Sequence, residues 1–111
     1  MKCISVPMSY EAMQRLDLDE NIEGDLIDVI LTSSEFDSLC KSGLFRKIND
    51  RFGLNIDDYE DESLTGSDNL LVLKEMLRDY FLLDESNVAL NKLMSQVDNA
   101  MISNTGIFFY F

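Results

Sequence analysis

An α+β fold, a helix-rich single domain with a small β-sheet that includes the C-terminal strand, is what this sequence predicts. Three observations carry the prediction. Two long stretches, 67–81 and Val88–Ser103, repeat apolar residues with helical spacing. Short runs rich in branched or aromatic residues stand near the start of the chain, at Leu26–Leu31 and at the very end. Finally, 111 residues that are 46% hydrophobic can build one core but hardly two, so residues 1–111 read as one domain. No internal repeat, low-complexity tract or interdomain linker interrupts it.

The elements follow in order. Residues 2–6 alternate weakly and read as a short strand stopped by Pro7, the only proline. Residues 10–16, after Ser9, allow a turn or two of helix, and 17–25 is polar, carries Gly24 and reads as a loop. Leu26–Leu31 favours a strand, with a helix as the alternative. Ser33 and Ser34 offer N-caps for a helix with Glu35 and Asp37 in its first turn and Phe36, Leu39 and Cys40 on one face. Gly43 permits a break. Leu44–Phe52 then spaces Leu44, Ile48 and Phe52 four residues apart, and Gly53 offers a left-handed cap. Residues 54–64 read as extended and acidic, closed by Gly66. Ser67 or Asp68 caps the helix striped by Leu70, Leu73, Leu77 and Phe81; Ser86 caps the one striped by Leu90, Leu93, Met94, Val97, Ala100 and Met101. Asn104 and Gly106 are left-handed stop residues. The ending, Ile107, Phe108, Phe109, Tyr110 and Phe111, shows no alternation of polarity and is expected inside or against the core, because four adjacent aromatics in water would make an adhesive patch.

Charge says most about function. There are 21 acidic and 9 basic residues and no histidine, giving a net charge of −12 that repels nucleic acid and anionic membrane and attracts basic partners. From residue 16 to 40 there are eight acids and no base; from 52 to 73 there are six more, again with no base. Residues 41–51 reverse the balance with Lys41, Arg46, Lys47 and Arg51 against one acid, so the field should be polarised. Lys47 and Arg51, one helical turn apart, read first as the exposed face of an amphipathic helix and second as a phosphate clamp. No apolar run approaches the roughly 20 residues of a membrane span, and the start lacks the make-up of a secretory signal. A cytoplasmic protein is expected. Cys3 and Cys40 read as free, mostly buried thiols.

Most catalytic chemistry is excluded or unmarked. Without histidine, Ser-His-Asp and Cys-His catalysis and histidine metal sites are impossible within the chain. The five glycines fit neither a P-loop nor a dinucleotide fingerprint. Residues 17–28 place oxygen ligands as an EF-hand loop does, but Ile22 stands where the loop needs glycine, Gly24 where it needs an apolar residue, and Asp28 is short for the bidentate position. A solvated acidic loop and no cofactor are expected. A carboxylate-pair enzyme stays open as an alternative, though nothing singles out a pair. The expected partner-binding residues are Asp57, Asp58, Tyr59, Glu60, Asp61 and Glu62, five carboxylates around a tyrosine, with Asp17, Asp19, Glu20, Glu23 and Asp25 from the first acidic loop. The competing reading of 56–64 is a solvated linker with Tyr59 tucked into the core.

In size, acidity and lack of histidine, in the run 42–49 leading to the acidic segment 56–62, and in the ending 104–111, the chain resembles the small acidic immunity proteins encoded beside bacterial polymorphic toxins, including those of contact-dependent growth inhibition. The resemblance implies a cytoplasmic protein that binds one cognate toxin domain, often a basic nuclease, and blocks its active site or substrate path. An acidic adaptor or regulatory module is the alternative from a different class, marked by a partner that is not a toxin.

Overall fold

The first and last strands of the chain, β1 (Lys2–Pro7) and β4 (Gly106–Tyr110), lie side by side in the middle of an antiparallel sheet. β2 (Leu26–Leu31) and β3 (Asp61–Thr65) form its edges, in the order β2-β1-β4-β3. The molecule, a computed structural model, is described over residues 2–57 and 61–111. Between the described strands run α1 (Tyr10–Asp17), α2 (Ser33–Lys41), α3 (Leu44–Phe52), α4 (Ser67–Leu83) and α5 (Val88–Ser103). The α+β class is as expected, with the chain's aromatic end as a central strand.

Register explains how that end is used. Phe109 pairs with Ile4 and Glu62, whereas Phe108 pairs with Ser5 and Ser63, so neighbouring aromatics point to opposite faces of the sheet. One face carries Ile4, Val6, Ile107, Phe109 and Leu64, all buried, and meets the helix layer of α2, α3, α4 and α5. Leu70, Leu73 and Leu77 of α4 and Leu90, Leu93, Val97 and Ala100 of α5 complete this core; Phe81, Met94 and Met101 sit at its margin. Phe36, Phe45 and Phe111 close one end, with ring centroids 5.0–5.8 Å apart. The other face, carrying Phe108 and Tyr110, meets α1. The terminal run does alternate, but with both faces apolar the alternation is invisible as a pattern of polarity.

Several local expectations are corrected. The α2 cap is Thr32, not Ser33 or Ser34: its hydroxyl accepts from the Glu35 N–H and Glu35 reaches back to the Thr32 N–H at 2.8 Å, a reciprocal capping box that places Asp37 beyond the first turn. Gly66 precedes α4 without any side-chain cap, so neither Ser67 nor Asp68 serves, and Asn87 rather than Ser86 caps α5. Cys40 is exposed and Cys3 half-buried; neither is in a disulfide, but they are not the buried pair expected. Of the two stop residues, only Asn104 is left-handed. Gly106 is required for space, since a Cβ there would lie 2.5 Å from the Thr65 side chain and 2.8 Å from the Leu64 carbonyl across the strand pair.

A polar residue missed by the apolar stripes joins the two layers. Gln96 on α5 is fully buried, donates to the carbonyls of Ile4 at 2.7 Å and Ile27 at 2.8 Å, and accepts from Asn99. It is satisfied on both ends of its amide, as a buried polar group must be.

Candidate functional site

The side of the sheet away from the helix layer holds the feature that gathers the acidic residues. α1 starts from Ser9, whose hydroxyl caps the Ala12 N–H, and seats buried Ala12 against the sheet beside β1. Because α1 is a single short helix it leaves β3 and β4 partly uncovered. Two adjoining clefts result, of about 280 and about 380 Å³, sharing Asp17, Ser63 and Phe108 in their walls. Leu16, Asp61, Glu62 and Tyr110 complete the first; Tyr10, Met13, Gln14 and Thr65 complete the second. Phe108 and Tyr110 are half-buried, side by side with ring centroids 6.5 Å apart and planes only 21° from parallel.

The cleft is electronegative. Tyr110's hydroxyl is pushed above its ordinary value, first by burial and then by its electrostatic interactions with Asp61, Cys3, Asp28 and Asp19. Among the described residues, no lysine or arginine lines either cleft. Two acidic windows some forty residues apart in sequence are thus brought to one aromatic floor, Asp17 and Asp19 from one and Asp61 from the other, while Glu62, the partner of Phe109, reaches the cleft wall from the strand that turns its side chain to the opposite face.

The remaining expected residues divide. Glu20 and Glu23 are exposed on the loop after α1, which also exposes Leu18 and Ile22 at 66% and 60%. Asp57 is half-buried, just after Ile56, whose N–H and C=O are both held by the Asn49 side chain. Asp58, Tyr59 and Glu60 lie outside the described residues. Asp25 is corrected outright. It is only 5% exposed, takes two bonds from the Arg15 guanidinium at 2.8 and 2.6 Å and one from the Ile22 N–H, and is held down to about 2 by Arg15 first and that N–H second. It pins the loop to α1 and cannot serve as a contact acid. It is equally committed as an EF-hand-like ligand, while Asp28 stands in β2 accepting from the Ser5 hydroxyl at 2.5 Å. Among the described residues no group of three or more ligand-type side chains is placed to hold a metal ion.

The first acid-only window is therefore partly compensated in space from outside its own sequence. Arg15 answers Asp25, and Lys92 on α5 answers Glu35 at 2.8 Å, lowering the Glu35 carboxyl. Lys41, Arg46, Lys47 and Arg51 are all exposed on α2 and α3, in the helix layer; Lys47 lies over the Tyr80 ring at 5.2 Å and Arg51 over Phe52 at 5.5 Å. This is the amphipathic-face reading of the basic group.

What the sequence missed is the floor. Phe108 and Tyr110 were assigned to the core with their neighbours, and the only available signal was the period of two that any strand imposes. Among the described residues, no helix is long and apolar enough to cross a membrane.

No protein-family model matches the chain, and no curated protein sequence matches it significantly. Among solved structures it is similar to DMP12, a DNA mimic protein from Neisseria, with a TM-score of 0.65 over 100% of both chains at 14% identity. At that identity the likeness establishes a shared fold.

Proposed function

We propose that this chain is a protein-binding inhibitor that occupies the nucleic-acid-binding surface of a basic partner. The observation that carries the reading is the meeting of Asp17 and Asp19 with Asp61 on one side of the sheet, while Lys41, Arg46, Lys47 and Arg51 belong to the helix layer. A surface of this kind presents carboxylates where a basic protein expects phosphates; it docks quickly through long-range attraction and excludes nucleic acid by occupancy. The shared fold with a protein described as a DNA mimic supports the same chemistry. In its finer form, drawn from the resemblance to immunity proteins, the partner is a cognate toxin nuclease and both proteins meet in the cytoplasm. Binding is favoured over catalysis because the carboxyls displaced from their ordinary values, Asp25 and Glu35, move down through ion pairing, whereas a general acid is raised by burial.

The test is capture on the immobilised chain from extracts of the organism that encodes it, followed by competition. The captured protein is expected to be basic, to elute at raised salt, and to lose DNA or RNA binding as the chain is added to stoichiometry. A partner that is acidic, or that binds nucleic acid and this chain together, overturns the proposal.

A further inference from the structure

The uncovered sheet face next to α1 has the make-up of a receptor for one kind of side chain. Its floor is aromatic, Phe108 beside Tyr110 with near-parallel rings, and its rim is carboxylate, with Asp17 on one side and Asp61, the cross-strand partner of Tyr110, on the other. Ser63 adds a hydroxyl between them. A planar cation that stacks on rings while donating several hydrogen bonds from its edges matches such a floor and rim; a compact, strongly hydrated ammonium matches the rim alone.

We propose that this cleft takes an arginine side chain from the basic partner, the guanidinium packing against the Phe108 and Tyr110 rings and its N–H groups donating to Asp17 and Asp61. The inference rests on the reading that the chain binds basic proteins and adds where the anchor sits and which residue type fills it. The occupant follows from charge complementarity: among the described residues the walls carry carboxylates, hydroxyls, an amide and rings but no cation. The volume agrees. About 280 Å³ at the Tyr110 end is room for one long side chain and its water, not for a helix or a second domain. Tyr110 ionises less readily than a free phenol, first because of burial and then because of Asp61, Asp28 and Asp19 nearby, and that second cause agrees with a negative field in the cleft.

The experiment uses the whole chain, isotope-labelled, titrated with hexa-arginine and separately with hexalysine at moderate salt. Resonances of Phe108, Tyr110, Ser63 and Asp61 are expected to move most and to saturate with hexa-arginine, which should bind several-fold more tightly than hexalysine. Asp17→Asn with Asp61→Asn should weaken hexa-arginine roughly three- to tenfold, a loss on the scale of two solvent-exposed ion pairs. Glu75→Gln with Asp79→Asn, the same charge change on exposed positions of α4, should weaken it less than twofold. Phe108→Leu should remove most of the preference for arginine over lysine, a change of roughly two- to fivefold, while Tyr110→Phe keeps it. Spectra of each variant with native dispersion show that the fold survives. Equal weakening by the two charge pairs, or shifts centred on α4, overturns the cleft as receptor while leaving the charge-based reading standing. Failure of the nucleic-acid competition strikes that reading and is measured separately.

Discussion

Replacing Phe109 with alanine, set against the same change at Phe108, tests the assignment of the terminal aromatics to two faces. Phe109 is fully buried between Ile4 and the helix layer, and removing its ring leaves a cavity that surrounding elements close only in part. Such losses run at about 3–5 kcal/mol. Phe108 is half-buried against α1, so its truncation removes about half a ring's burial, about 1–1.5 kcal/mol. An unfolding entropy of about 2.1 cal/mol/K per residue over 111 residues converts each kcal/mol to about 4 °C in melting temperature. Phe109→Ala should therefore lower Tm by roughly 12–20 °C, or unfold the protein if its reserve lies near the bottom of the ordinary range of about 5–15 kcal/mol. Phe108→Ala should lower it by roughly 4–6 °C. Thermal melts followed by far-ultraviolet circular dichroism give both numbers in one assay. Equal losses, or a larger loss at Phe108, would mean that the strand is registered one residue away from the pairing described, because a one-residue slip exchanges the faces.

Two further perturbations test the polar joints. Gln96→Leu keeps the volume but strands the Ile4 and Ile27 carbonyls and the Asn99 amide, so the urea midpoint should fall by the equivalent of about 2–4 kcal/mol with an unchanged slope; a neutral result would show that the sheet and α5 need no such tie. Asp25 has a folded value of about 2 against an ordinary 3.8, so its contribution is fully present above the ordinary value and is lost as pH falls through the folded one; Glu35, also lowered, acts in the same direction. Stability should fall between pH 4 and pH 2 in the native chain, and Arg15→Gln should flatten that slope. An unchanged slope in the variant, from melts across the pH series, would remove the Arg15–Asp25 pair as its source.

How far the sequence carried is clearest at particular residues. Leu70, Leu73 and Leu77, or Leu90, Leu93 and Val97, declare their helices because a helix with one wet face must segregate polarity at its own period. Leu26–Leu31 and the chain end read as strands from their branched and aromatic content. The caps lie one or two residues from the expected ones at α2 and α4 and one residue away at α5, since several polar residues in a row are all competent and only backbone geometry chooses among Thr32, Ser33 and Ser34, while at α4 the cap position is Gly66. Asp25 was taken for a contact acid because Arg15 lies ten residues away and outside the acidic window; ion pairs made by a loop folding back on its helix leave no spacing rule. The convergence of Asp17 with Asp61 is a product of sheet order. It depends on β4 entering between β1 and β3, and on α1 crossing the face opposite the other helices, neither of which is written in local patterning.

The placement of the acids also resolves a conflict between binding and solubility. An aromatic platform left half-open on a sheet face, next to an edge strand with one unpaired side, invites association with a second copy. Here β3 is that edge, and it carries Asp61 and Glu62, while Asp17 rims the platform from α1. Two copies approaching through this face bring like charges together, and a net charge of −12 opposes them from further away. A basic partner meets the opposite field at every stage: attraction at a distance, neutralisation of the rim on contact, and a dry aromatic surface once the charges are matched. On the proposed reading, the same carboxylates keep the anchor unoccupied by the protein's own kind and reserve it for a cation. The self-repulsion they impose on the free molecule is relieved only when such a partner arrives.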